Sequence, residues 1–87
     1  MVISAFDWDD DNIFHIGLHE ITPEEVEEIF EDNYKVRRAR QKLYAAYGET
    51  LDGRLLFVVF RRLTAAMIRV VTARDMEDKD RKLFRRK

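Results

Sequence analysis

The chain is predicted to be a small α+β domain, a short antiparallel sheet with helices before and after it. Three observations predict it: helical periodicity in the first 34 residues and again at the end, period-two alternation between them, and turn signals that leave only short connections. Its 87 residues fit one domain, spanning 1–87, near the lower size at which a single core suffices. With 38% charged residues, the surface must be strongly ionic. The absence of cysteine excludes disulfides, thiol nucleophiles and thiolate metal sites, which fits a reducing cytosol. The first lysine is Lys35, too late for the basic start of a secretion signal. The longest apolar run, Leu55 to Phe60, is far short of a membrane span. A cytoplasmic protein with no membrane partner is therefore expected.

The elements follow in order. Val2 to Trp8 reads as an opening strand with Phe6 and Trp8 on one face. Asp9, Asp10 or Asp11 can cap a first helix that runs to about Leu18, its acidic first turn favoured by the helix dipole. A second helix has a full start signal: Thr22 as N-cap, Pro23 at the first helical position, Glu25 closing a capping box, and Ile21 with Val26 as a hydrophobic staple. Val26, Ile29 and Phe30 form its core face, while Glu24, Glu27, Glu28 and Glu31 point to water. Four strands are predicted at Tyr34 to Arg40, Leu43 to Tyr47, Leu55 to Phe60 and Met67 to Ala73, with Asp52-Gly53 turning between the second and third. From Glu77 to Lys87 a charged helix follows, with Met76, Leu83 and Phe84 available to dock. The order is β-α-α-β-β-β-β-α, a meander of about four strands plus a short N-terminal strand.

A simple hairpin between the last two strands would pair Phe60 with Met67, Val58 with Arg69 and Leu56 with Val71. Leu55, Phe57, Val59, Ile68 and Val70 would then face the helices. Leu56, Val58, Phe60, Met67 and Val71 would line the open face with Arg69, and Arg54 would extend that row. Because Arg69 and Arg74 are an odd number of residues apart, both can reach one site only if the strand bends or bulges after Thr72.

Charge divides along the chain. Met1 to Tyr34 hold eleven carboxylates and no lysine or arginine, whereas all 16 basic residues and the other six carboxylates lie beyond. A net charge of −1 thus conceals a segment of −11 followed by one of +10, a pointer to a nucleic-acid or acidic partner for the basic part.

The stretches "WDDDN", "HIGLHEITPEEVEEIF", "YGETLDGRLLFVVF" and "IRVVTARDMEDKDRKLF" resemble, in order and over nearly the whole chain, the BrnT family of type II toxins. The resemblance implies a RelE-like fold, endoribonuclease activity on messenger RNA without a cofactor, and neutralisation by a ribbon-helix-helix antitoxin. A homodimer and a toxin–antitoxin heterotetramer are both open as assemblies, since the sequence does not give the oligomeric state. Arg69, Arg74, His19, Arg54 and Arg81 match characteristic positions. Relatives often carry a basic residue before the histidine and a glycine after it, where this chain has Leu18 and Glu20. Phe84 stands where tyrosine is common.

Metal-independent RNA cleavage needs a base for the 2′-hydroxyl, an acid for the departing 5′-oxygen and cations around the phosphorane. His19 is the acid–base candidate, and Arg54, Arg69 and Arg74 are the candidate phosphate cluster. Simpler readings are salt bridges from Arg74 to Asp75, Glu77 or Asp78, and a helix-end role for His19. Arg37, Arg38 and Arg40 with Tyr44 and Tyr47 could hold single-stranded RNA by phosphate contact and stacking; a charged edge strand protected from aggregation is the alternative. Lys79, Arg81, Lys82, Arg85, Arg86 and Lys87 read as a solvated helix face with phosphate attraction as a second use. His15 and His19 have zinc-compatible spacing if the helix continues, but no third ligand, so His15 is expected to be a half-buried packing residue. The rival to a ribonuclease is a non-catalytic module of the same fold that binds an antitoxin-like protein or nucleic acid; the departures at Leu18 and Phe84 motivate it.

Overall fold

The computed structural model describes residues 2–86; Met1 and Lys87, the expected last residue of the final helix, lie outside the described residues. The elements are β1 (Ala5–Phe6), α1 (Asp10–Gly17), α2 (Pro23–Ile29), β2 (Lys35–Arg38), β3 (Leu43–Glu49), β4 (Leu55–Arg62), β5 (Met67–Asp75) and α3 (Asp78–Arg85). The order along the chain is the expected one. The sheet runs β1-β5-β4-β3-β2: β2 to β5 form the antiparallel meander, and β1 adds to the far edge of β5 in parallel, so the sheet is mixed.

β1 is shorter than the expected Val2 to Trp8 because α1 takes over its edge. Asp7 N–H donates to the Ile68 carbonyl. The next outward carbonyl of β5, that of Val70, accepts instead from the buried Asn12 side-chain amide at 3.1 Å. Asn12 also closes the capping box of α1, accepting from Asp9 N–H at 2.8 Å while Asp9 accepts from Asn12 N–H. One side chain therefore starts a helix and ends a strand.

α2 begins as expected, with Thr22 and Glu25 bonding reciprocally. Two glutamates of its expected solvent face are in use: Glu27 accepts from the Trp8 indole at 2.8 Å, and Glu28 accepts from Leu51 N–H at 3.0 Å. Between α1 and α2 the chain reverses with Ile21 N–H donating to Ile16 O and Glu20 N–H to Gly17 O. This is the Schellman pattern, and it puts Glu20 in the left-handed region at φ +58°, where glycine is favoured. Ile16 and Ile21 are both buried beneath this turn.

The β4–β5 hairpin differs from the expected register. Phe60 pairs with Val70, Arg61 with Arg69 and Arg62 with Ile68, while Val59 pairs with Thr72 and Leu56 with Asp75. β4 is longer than expected because the connection shrinks to Leu63–Ala66, tied by the Thr64 hydroxyl accepting from the N–H groups of Ala66 and Met67, and β5 runs on past Ala73 to Asp75. The residue left over between Val70 and Thr72 is Val71, a bulge. As a result Leu56, Val58, Phe60, Ile68, Val70 and Ala73 face α1 and α2 in the main core. Leu55 and Phe57 turn to the other face, where they pack with Ala45, Tyr47 and Met76 against Leu83 and Phe84 of α3. The expected assignment of β4 is thus reversed: both of its stripes are apolar, so alternation alone does not say which meets the larger layer.

Gly48 permits the closest approach between the layers. A Cβ there would lie 2.7 Å from Ile29 Cβ, well inside van der Waals contact.

Candidate nucleic-acid interface

The bulge at Val71 resets the alternation of β5, so Arg69 and Arg74 emerge on the same face, opposite Arg61 and Phe57 respectively. They stand four strand steps apart on β4, about 13 Å at roughly 3.3 Å per residue, and each has its own surroundings. Arg69 donates to Asp7 at 3.2 Å and pairs with Asp9 at 2.9 Å, carboxylates from the link between β1 and α1. Asp9 has its pKa lowered, chiefly by the Asn12 N–H bond and also by Arg69.

Arg54 is not in a row with Arg69. Its side chain passes to the α1–α2 side of the sheet, so the expected open-face row is replaced by two separate sites. Arg54 Nε and Nη2 donate to Asp75 at 2.7 and 3.0 Å, Nη2 also donates to His19 O at 3.2 Å, and Nη1 donates to Glu20 O at 2.8 Å and to Glu25. Every N–H of this guanidinium has an acceptor. Asp75 is held below the usual carboxylate range, first by the Arg54 hydrogen bond, against a smaller effect of burial; His19 is near enough to add to the shift.

His19 itself is exposed, in the turn beyond α1. Helix α1 ends at Gly17, so His15 and His19 do not share a helix face, and His15 is exposed rather than half-buried. Among the described residues no three His, Cys, Asp or Glu side chains gather as metal ligands.

Arg74 lies on the other side of the same strand end. Nη1 donates to Asp80 Oδ2 at 2.7 Å and to Asp75 O at 3.0 Å, and the guanidinium carbon sits 4.2 Å from the centre of the Phe57 ring, a cation–π contact. Among the described residues Nη2 has only Glu77, 4.0 Å away. Asp75 thus joins three candidates, taking Arg54 on its carboxylate and Arg74 on its carbonyl, with His19 beside it.

Arg74 opens into a cleft of about 560 Å³ between α3 and the sheet, lined by Arg37, Tyr47, Phe57, Arg74, Lys79, Asp80, Lys82, Leu83 and Arg86. Five cations and one carboxylate line it, the balance expected of a surface that attracts a polyanion. Of the expected RNA-contacting residues, Arg37 is in this cleft. Arg38, its neighbour on β2, points to the opposite face beside Lys42 and Arg62, and Arg40 is exposed in the β2–β3 turn. Tyr47 lines the cleft but is 95% covered, edge-on to Phe57 beneath α3, so its ring face is not open to a base. Arg81 bonds Met76 O at 2.8 Å and pairs with Asp78, securing the start of α3.

Phe57 and Asp80 were not among the expected site residues. The spacing of Lys79 and Lys82, three apart, does signal a single stripe on α3, which Arg86 extends from just beyond the helix end. Asp80 lies within a run of charges that reads as solvated, yet it is 4% exposed. Burial opposes its ionisation, but hydrogen bonds from Glu77 N–H and Arg74 prevail and the pKa is lowered.

Comparison with known proteins gives one family and one fold. A family model described as the ribonuclease toxin, BrnT, of type II toxin–antitoxin systems matches residues 8–80. The crystal structure of the Brucella abortus ribonuclease toxin, BrnT, superposes with a TM-score of 0.65 at 16% identity, covering 90% of this chain and all of that one. No curated protein sequence matches the chain.

Proposed function

The chain belongs to the BrnT family of ribonuclease toxins of type II toxin–antitoxin systems, and from that premise we propose that it cleaves messenger RNA without a metal ion, at the strand end shared by Arg74 and His19. The supporting observation is the cleft where Arg74 meets Arg37, Lys79, Lys82 and Arg86. In this reading those side chains hold successive phosphates of a single strand, and Arg74 stabilises the charge that builds on the phosphorane. The 2′-hydroxyl attacks the adjacent phosphorus and loses its proton; the 5′-oxygen leaves and gains one. In this reading His19 is the side chain that takes the first proton and returns one to the leaving oxygen. The products are a 2′,3′-cyclic phosphate and a 5′-hydroxyl.

Arg54 and Arg69 act at one remove. Arg54 holds the His19 and Glu20 carbonyls and so orients the turn that carries His19. Arg69 fixes Asp7 and Asp9 and so orients α1. Neutralisation by a ribbon-helix-helix antitoxin completes the proposal.

The test is incubation of purified protein with single-stranded RNA in excess chelator. Cyclic-phosphate ends should appear undiminished, and Arg74→Ala should lower kcat/KM about 10²- to 10³-fold, the usual loss for one charge-stabilising donor. Intact RNA at stoichiometric protein overturns the reading; loss of cleavage in chelator overturns its metal independence.

A further inference from the structure

We propose that Asp80 is a positioning residue for RNA recognition: from the first turn of α3 it fixes the Arg74 guanidinium over Phe57, so that Nε and Nη2 meet a phosphate. The inference deepens the proposed ribonuclease reading and rests on the same cleft.

Three constraints converge on Arg74. Asp80 Oδ2 accepts from Nη1 at 2.7 Å, the Asp75 carbonyl accepts from the same nitrogen at 3.0 Å, and the Phe57 ring lies 4.2 Å beneath the guanidinium carbon. Together they occupy Nη1 and one ring-facing side. Among the described residues, Nε and Nη2 have no hydrogen-bond acceptor, the exposed Glu77 carboxylate standing 4.0 Å from Nη2, and that edge is the pair of parallel donors that matches two phosphate oxygens. Arg54 and Arg69 present no such edge: every nitrogen of Arg54 already has an acceptor, and both Nη atoms of Arg69 are held by Asp7 and Asp9.

Asp80 is itself tied down. It is 4% exposed, and the same Oδ2 that takes Arg74 accepts from Glu77 N–H at 2.9 Å, which ties the carboxylate to the start of the helix. A carboxylate placed for solubility would face water. One placed to repel RNA would stand at the cleft mouth. Asp80 does neither: it is under the cations, and besides Glu77 N–H the group it bonds is the arginine.

This makes the sign of one substitution diagnostic. If only charge mattered, Asp80→Asn would remove the single negative group of the cleft and tighten RNA binding. If Asp80 positions Arg74, the same change weakens it. Binding is measured by fluorescence anisotropy with an uncleavable 2′-O-methyl single strand, about twelve nucleotides long to match a typical single-strand site. Asp80→Asn should bind roughly tenfold more weakly than the wild type, with the salt slope reduced by about 0.7, the value for one lost phosphate contact on a single strand. In an Arg74→Ala background the same substitution should change little, since coupled residues are not additive. Asp80→Glu, which keeps a carboxylate for Glu77 N–H, should return affinity to within about threefold of the wild type.

Unchanged or tighter binding by Asp80→Asn overturns the proposal. So does an equal loss in the Arg74→Ala background, which would make Asp80 a support for α3 as a whole. A wild-type protein that binds the uncleavable strand but leaves ordinary RNA intact removes the ribonuclease reading and leaves the positioning role supported by the binding cycle. A wild-type protein that does not bind the strand overturns both.

Discussion

The face of the sheet beneath α1 and α2 and the face beneath α3 are made by alternate residues of the same strands. On the first, Leu56, Val58, Phe60, Ile68 and Val70 meet Ile16, Val26 and Ile29, all essentially inaccessible to water. On the second, Tyr47, Phe57 and Leu83 make a thinner cluster, with charged groups let in beside it. The contrast extends to the arginines. On the first face Arg54 has an acceptor for every N–H and serves as a clamp; on the second, Arg74 is fixed by part of its guanidinium and keeps donors to offer. Two sealed faces would leave no place for a polyanion, and two thin ones would not hold 87 residues together.

Phe60→Ala tests the sealed face most severely. Phe60 is fully buried among Phe30 and Tyr44, so its loss should cost about 3–5 kcal/mol by urea unfolding, enough to unfold a domain of this size. Phe57→Ala on the thin face should cost clearly less stability and instead weaken RNA binding, because Arg74 loses its platform. Equal stability losses would erase the distinction between the faces. Gly48→Ala comes next: the new methyl would press on Ile29 of α2, an overpacking that typically costs about 1–3 kcal/mol, read by thermal melting.

Legibility in the sequence follows the range of the interaction. The caps at Asp9 and Thr22 are local patterns and occur where Asn12 and Glu25 require. The element order follows from periodicity and turn residues. The hairpin register does not, because both stripes of Leu55–Phe60 are apolar and Val71 gives no sign that it is a bulge; the row expected to hold Arg54 and Arg69 failed with it. Asp80 is hidden for a related reason: its burial depends on α3 folding back over Phe57, a contact made across the chain.

Acid should find the ion pairs of both faces. Asp75 beside the first face, Asp9 at the start of α1 and Asp80 on the second face all have pKa values lowered from the ordinary 3.8. Over the range where these groups are still ionised in the folded protein but protonated in the unfolded chain, the unfolded chain binds more protons, so stability rises with pH. Their contribution is complete above about pH 4–5 and is lost as pH falls through the lowered folded values. Asp75→Asn should therefore lower stability at neutral pH and flatten the acid limb of the urea midpoint; an unaltered acid limb would show that the Arg54 clamp carries none of it.

The smallest expected effect sharpens the comparison from the side of the turn. Glu20 holds a left-handed backbone at φ +58° in the reversal between α1 and α2, at the position where such turns favour glycine. A non-glycine residue there carries a steric cost of about 1 kcal/mol, while glycine costs some entropy in the unfolded chain. The Glu20 carbonyl that binds Arg54 belongs to the backbone and survives the substitution. Glu20→Gly should thus raise stability by no more than about 0.5 kcal/mol, seen as a slightly higher melting temperature, and should also remove a negative charge next to His19. If RNA cleavage rises with it, that carboxylate is a brake on the exposed end of the site; if stability rises alone, the turn serves the sealed face only.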